Sequence, residues 1–383
     1  QWRLIIWLDN KVASWKNSTV SQFAVLILIG FIGSSLIHIW AAAHAYQSVT
    51  SIKRYLPSYY PITSNSLMRK LGWINEEEIQ RQKELTLSKK RDIQYPLTSL
   101  TAEPVTNPVN IVFIVVDSWR FDTFNAENTP HMWQFAQQGA LFNQHLSTGN
   151  STRSGIFGLF YGMPATYWET MLVNRASPVL MERLAELNYQ FGIFASAHLI
   201  NPEFNRTVFA NIPNLREESK SDTPASRDLE ITNDWLAWNS NADQQRPKFS
   251  FLFYDAAHGY DFPSDYPHRY EPMLDSIDYI KLNNNTDPVP FFNRYKTSIH
   301  YIDSLAAQVL QQLEQRNELH NTLVIITGDH SQEMNDNKQN YWGHGSNFSY
   351  AQVKVPFALI GPKVEQLGFK TTNDFTDHQN LAP

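Results

Sequence analysis

Three apolar runs in this chain each end in an aspartate: NIVFIVVD at Asp117, FSFLFYD at Asp255 and LVIITGD at Asp329, the last followed at once by His330. In open α/β sheets the ligand crevice lies beyond the carboxyl ends of the strands, so side chains placed there converge on one cleft. Two carboxylates and one imidazole form an oxygen-rich cation site, suited to Mg2+ or Mn2+ and tolerant of Zn2+. Each aspartate alone would be an ordinary helix cap or loop residue; their joint occurrence is the signal. The loop Thr148-Gly149-Asn150-Ser151-Thr152-Arg153-Ser154 precedes the helical stretch GIFGLFYG and offers the hydroxyls a group-transfer reaction needs. A hydroxyl bound to a cation loses its proton more easily and can attack phosphorus or sulfur in line, with Arg153 and the cation stabilising the developing charge. A polar cap at a helix start would account for Ser151 and Thr152 equally well. With no cysteine in the chain, thiol nucleophiles, zinc–thiolate sites and disulfides are excluded.

Those residues need strands and helices to hold them. The apolar runs at 110–117, 189–196, 249–255, 323–329 and 355–361 alternate with helical patterns. That alternation predicts an α/β fold, with a mostly parallel central sheet and helices on both faces. Thr129-Pro130 opens a helix to Gln138, stopped by Gly139, and Ser177-Pro178 opens another to Asn188. Ile299, Ile302, Leu305, Ala306, Val309, Leu310 and Leu313 trace one helical face and read as packing residues. The 383 residues suffice for a large core, and a net charge of −6 without a basic stripe argues against nucleic acid as a partner.

Residues 17–52 contain no Asp, Glu, Lys or Arg, and within them VSQFAVLILIGFIGSSLIHIW predicts one transmembrane helix over about 20–42. Gly30, Gly33, Ser34 and Ser35 put small residues on that span, which suits packing against another membrane helix. The opening WRLIIWLDN reads as the end of an earlier apolar element, so residues 1–45 form a membrane segment with further helices expected upstream. The flanking cations, Arg3, Lys11 and Lys16 before and Lys53 and Arg54 after, do not orient it. Residues 46–107 form a connector. Its first part, KRYLPSYYPITSNSLMRKLGW, sets Lys53, Arg54, Arg69 and Lys70 among tyrosines such as Tyr59 and Tyr60. It reads either as an interfacial segment that pairs with lipid phosphates or as a simple anchor for the helix end. A charged linker helix follows from Asn75 to Asp92, and residues 108–383 form the globular domain, with the chain expected to continue past 383.

Residues 110–365 resemble, motif by motif and in order, the sulfatase branch of the alkaline-phosphatase superfamily. NIVFIVVDS is similar to its first metal-binding strand, TPHMWQFAQQGALFNQH to the helix and turn after it, FYDAAHGYDFP to its His-containing substrate loop, NTLVIITGDHSQE to its second metal motif, and YWGHGSNFSYAQVKVPFALIGPK to its GHG loop and closing strand. The resemblance implies that Asp117, Thr152, Asp329 and His330 hold one divalent cation, with Thr152 as covalent nucleophile and His258 and His344 facing the substrate. A different alignment puts Ser151 in the nucleophile position. Formylglycine sulfatases need Cys or Ser in a C/S-x-P-x-R frame; this chain reads STRS there, and that activity does not fit. Ser118 and Ser331 stand where a second acidic residue and a Gly are common, so a binuclear site lacks support. The single-metal, Thr-nucleophile arrangement is closer to lipoteichoic-acid synthases and phosphoethanolamine transferases.

Taken whole, with its connector, the pattern most resembles the PbgA/YejM type of Gram-negative inner-membrane protein. That resemblance implies a periplasmic globular domain and binding of lipid A, lipopolysaccharide and cardiolipin at residues 53–73. It also implies control of lipopolysaccharide synthesis and outer-membrane homeostasis through a cytoplasmic protease adaptor. The alternative is a metal-dependent phosphatase or phospholipid headgroup transferase. A cardiolipin carrier would need an apolar conduit that the sequence does not display.

Overall fold

The computed structural model describes residues 17–44, 46–50, 62–75, 77, 79, 93–98 and 105–382. Two compact units divide the chain, Gln1–Lys90 and Arg91–Pro383. In the first, helix α1 (Asn17–Ala43) has 27 residues, of which Gln22–Ala43, at mean hydropathy 2.2, are long and apolar enough to cross a membrane. At 1.5 Å per residue such a span reaches roughly 33 Å, and Leu26, Ile27, Leu28 and Ile29 all point outward, as side chains meeting lipid do. A short helix, α2 (Asn65–Lys70), carries Arg69 and Lys70 in its last turn. Lys53, Arg54, Tyr59, Tyr60 and most of the expected linker helix lie outside the described residues.

The second unit is built on a seven-stranded sheet in the order β3-β4-β1-β5-β8-β2-β9. Its strands are β1 (Asn110–Val116), β2 (Ala140–Leu146), β3 (Gln190–Ala195), β4 (Lys248–Tyr254), β5 (Thr322–Gly328), β8 (Phe357–Ile360) and β9 (Thr371–Asp377). A separate two-stranded ribbon joins β6 (Glu333–Met334) to β7 (Trp342–Gly343). Strand β1 pairs in parallel with β4 and β5, β3 pairs in parallel with β4, and only β8 runs antiparallel to its neighbours β5 and β2. The mostly parallel sheet expected from the sequence is therefore present, with one reversed strand and two strands, β2 and β9, that the apolar runs did not announce.

Strand alternation divides the core into two layers. Val112, Ile114 and Val116 of β1 face helices α3 (Pro130–Ala136), α6 (Pro224–Asn241) and α7 (Val289–Gln315). Phe113 and Val115 face α4 (Thr152–Tyr161) and α5 (Val179–Glu186). All seven residues of the predicted helical face, Ile299 to Leu313, are buried on α7. Helices start where local chemistry caps them: Thr223 and Ser226 form a capping box ahead of α6, with Pro224 at its first turn. At α3 the cap is supplied from a distance, since the buried Asp303 of α7 accepts the His131 and Met132 amides at 3.0 and 2.8 Å. That helix ends at Ala136 and α5 begins at Val179, each a residue or two inside the expected limits.

Candidate metal and phosphate site

The sheet register brings the three aspartates together. Val116 is paired with Tyr254 on one side and Gly328 on the other, so Asp117, Asp255 and Asp329 leave three adjacent strands at the same level. Helix α4 closes over them. Gly155 in its first turn is packed so tightly that a Cβ there would lie 1.8 Å from the Asp329 carbonyl oxygen, so any larger residue would lift the helix off the site. Ser147 Oγ donates to that same carbonyl at 2.6 Å.

Thr152, the first residue of α4, sets its Oγ1 3.4 Å from both Asp117 Oδ2 and His330 Nε2. Ser151 Oγ instead pairs with Ser154 Oγ at 3.2 Å, which separates the two hydroxyls the sequence left as alternatives. His330 Nδ1 lies 2.8 Å from the Ser331 carbonyl, an acceptor only, so Nδ1 carries the proton. Burial lowers the His330 pKa and keeps the ring neutral, and its bare Nε2 faces Asp117 Oδ1 and Asp329 Oδ2, each at 3.5 Å.

Lone pairs therefore point at lone pairs, an arrangement that a shared proton or a cation between them relieves. Asp329 is fully buried; its Oδ1 accepts the Ser118 and His330 amides at 3.0 and 2.7 Å, while its Oδ2 has no hydrogen-bond partner. Burial and the neighbouring Asp117 raise the Asp329 pKa well above the carboxylate range. Asp117, Asp329 and His330 present ligand atoms within 4.8 Å of one another, and this donor set fits a divalent cation. Ser118, at φ 62°, stands where an acidic residue is common in the family it resembles; it donates its amide to Asp329 and its hydroxyl to Asp117 at 2.8 Å.

A second group of donors, Asp117, Asp255 and His258, lies beside the first. Here the charges are already matched: Arg227 Nη2 is 2.9 Å from Asp255 Oδ2, and His258 Nδ1 is 3.5 Å from Asp255 Oδ1. Asp117 first, and then the Asp255 hydrogen bond, raise the His258 pKa to about 9. His344 lies with its ring centroid 4.3 Å from that of His330 and 5.3 Å from that of His258, its Nδ1 held 2.9 Å from Gln332 Oε1. Burial and His330 push it down to about 4. Arg153 turns elsewhere: its guanidinium sits 5.0 Å over Trp168 and 3.4 Å from Glu203 Oε2.

Two positioning carboxylates escaped the sequence reading. Glu333, fully buried after the His330 motif, accepts amide N–H groups from Asn337, Asn347 and Gln352 at 2.7–2.8 Å, and so fixes the loop that carries His344. Asp228 of α6 accepts the backbone amides of Asp255 and Ala256 at 2.8 and 2.9 Å. Nothing in PASRDLE marks it, because its partners are backbone groups at the end of β4. Burial pushes the Asp228 carboxyl up to about 8. As pH rises from about 4 the unfolded chain ionises this group first, so the native state loses stability progressively until the folded pKa is passed. Asp228→Asn is expected to lower the Tm at pH 5, since one amide oxygen cannot serve both backbone donors, and to flatten the fall between about pH 5 and 8. Parallel Tm slopes for variant and parent would refute it.

Comparison with known proteins agrees with this geometry. A family described as Sulfatase matches residues 109–383, and a domain of unknown function (DUF3413) matches residues 1–102. An uncharacterized protein of Haemophilus influenzae is 30% identical over 343 residues, covering 88% of this chain and 50% of its own. The inner membrane protein YejM of Salmonella typhimurium is 26% identical over 373 residues, covering 97% and 58%. The chain spans about half the length of these curated relatives. In fold, the soluble domain of lipooligosaccharide phosphoethanolamine transferase A from Neisseria meningitidis superposes with a TM-score of 0.54 at 16% identity, over 73% of this chain and 87% of that one. The resemblance to YejM-type proteins read from the motifs is thus borne out, and the chain belongs to the sulfatase family.

Proposed function

We propose that this chain belongs to an inner-membrane protein whose sulfatase-like domain stands in the periplasm and whose connector, residues 53–73, binds the phosphates of lipid A, lipopolysaccharide and cardiolipin. In this reading the membrane helices relay lipid occupancy to a cytoplasmic protease adaptor and so regulate lipopolysaccharide synthesis. The observation that carries it is the match to inner-membrane YejM over 97% of the chain, which includes the connector as well as the domain. Arg69 and Lys70 at the end of α2, beside the exposed Ile62, Leu67, Leu71 and Trp73, have the chemistry of a headgroup-level element. Each basic side chain near an anionic surface is worth about 1 kcal/mol, so Arg69→Ala with Lys70→Ala should reduce copurified lipid A by roughly 10- to 30-fold after gentle extraction. Mass spectrometry that finds no lipid A in the parent, or equal amounts in both, would sink the reading.

A second reading rests on the Thr152 geometry: a single-cation phosphatase or headgroup transferase. Asp117, Thr152, Asp329 and His330 would hold Mg2+ or Mn2+, which supplies Lewis-acid stabilisation and favours the Thr152 alkoxide. Thr152 would supply the attacking oxygen. His258 would face the developing charge with His344 beside it, while Arg153 would reach substrate only by leaving Glu203.

A further inference from the structure

We propose that the sulfatase-like unit carries a second binding site, at the end of the sheet away from the cation cluster, for an acidic peptide segment of a partner protein. A cavity of about 560 Å³ opens there between the chain entering β1, the turn before β4 and the loop between α7 and β5. Asn110 and Lys248 on its wall are the first residues of β1 and β4, whereas Asp117 and Asp255 follow the last, so one strand length, roughly 20 Å, separates the cavity from the cluster. The volume falls in the range of small-molecule sites.

The lining is cationic and rich in amides. Arg246, Lys248 and Arg316 share a single carboxylate, Glu318, in a chain whose net charge is −6. That carboxylate is already engaged: Glu318 Oε2 lies 2.8 Å from Lys248 Nζ and its Oε1 2.8 Å from Arg316 Nε, while Asn239 Oδ1 accepts from Lys248 Nζ at 2.6 Å. Lys248 and Glu318 are both buried, so this pair forms a fixed floor. Arg316 keeps both terminal nitrogens without a hydrogen-bond partner among the described residues. Arg246 donates from Nε and Nη2 to the Asn188 and Tyr189 carbonyls, at 3.1 and 3.2 Å, which leaves its charge unmatched and its Nη1 free among the described residues. Two guanidinium groups with N–H donors to spare suit paired carboxylates. Around them the side-chain amides of Asn107, Gln245, Asn317 and Asn321 also make no hydrogen bond among the described residues. Each carboxamide offers a donor and an acceptor, which matches the N–H and C=O of a peptide group. A phosphate ion would leave those amides unused. A sugar would lay its apolar face on an aromatic ring, and a lipid would need apolar walls. The described lining holds no Phe, Tyr or Trp, and its apolar side chains are Pro108 and Pro247.

The site shares no residue with the cation cluster or the connector and stands whether or not either proposed function holds. Its test is calorimetric titration of the full chain in maltoside micelles at low ionic strength. The probes are a panel of acetylated, amidated peptides carrying two glutamates at varied spacing, their glutamine counterparts, di-N-acetylchitobiose and inorganic phosphate. At least one glutamate peptide should bind, more tightly than sugar or phosphate and about tenfold or more tightly than its glutamine counterpart, and added salt should weaken it. Arg246→Ala and Arg316→Ala should each weaken that binding about tenfold or more, the scale of a lost charge-assisted hydrogen bond. Asn321→Asp adds a repelling carboxylate to the wall while leaving both arginines in place. It should weaken binding as well, and it keeps the test open if an arginine variant fails to fold. No glutamate peptide bound, glutamine peptides, sugar or phosphate bound as tightly, or cavity variants that bind normally would overturn the proposal.

Discussion

Thr152→Ala is expected to abolish metal-dependent hydrolysis of a small phosphate ester, lowering kcat by about 10³-fold or more, the scale seen when a covalent nucleophile is removed. The geometry gives the reason. Thr152 Oγ1 lies 3.4 Å from both Asp117 Oδ2 and His330 Nε2, while Ser151 is turned to Ser154 and cannot substitute without unwinding the start of α4. Folding should survive. Ser151 remains as N-cap and the helix interior from Gly155 to Tyr161 stays buried, so stability should change by less than about 1 kcal/mol. Thr152→Ser keeps the hydroxyl and should retain part of the activity. The assay is p-nitrophenyl phosphate turnover with Mg2+ or Mn2+, read beside the Tm. A parent without turnover removes the catalytic reading, and a Thr152→Ala chain as fast as the parent removes Thr152 from it.

How much of this was legible beforehand depends on where each residue finds its partner. Asp117, Asp255 and Asp329 were visible because each ends an apolar run, and a strand of a parallel sheet buried on both faces advertises itself by continuous hydrophobicity. Their alignment at one level was not, since register between β4, β1 and β5 is fixed by pairing over more than a hundred residues of chain. Strand β2 reads ALFNQHL, with polar residues in its middle, and β9 reads TTNDFTD on the exposed sheet edge, so neither has a core-like pattern. Asp228 and Glu333 act on backbone and side-chain amides brought near by tertiary folding, for which no spacing rule exists. Ser118 was read as a departure from the family pattern; its left-handed backbone instead turns an amide onto Asp329.

The metal-linked stability of Asp329→Asn should show a crossing that no simple loss of packing would imitate. With saturating Mg2+ or Mn2+ the parent should be the more stable protein, because binding to the folded chain alone adds stability with ligand concentration. Asp329→Asn keeps the acceptor used by the Ser118 and His330 amides but removes a ligand charge, so metal content should fall from about one per chain to a small fraction. After chelation the order should reverse. The parent then holds Asp329 beside Asp117 with no protein hydrogen-bond partner on Oδ2 among the described residues, whereas the asparagine Nδ2–H can donate toward His330 Nε2, 3.5 Å from the present oxygen. Relief of about 1–2 kcal/mol corresponds to a Tm roughly 2–8 °C higher for the chelated variant. The pH dependence carries the same sign. A carboxyl with a raised folded pKa favours the folded state below its unfolded pKa and loses that advantage as pH rises, so the chelated parent should weaken from about pH 4 upward while the variant lacks this slope. Differential scanning calorimetry with and without chelator, paired with elemental analysis, reads all of this. If the parent binds no cation the site holds no metal, and if the variant is less stable in both conditions the chelated site stores no strain at Asp329.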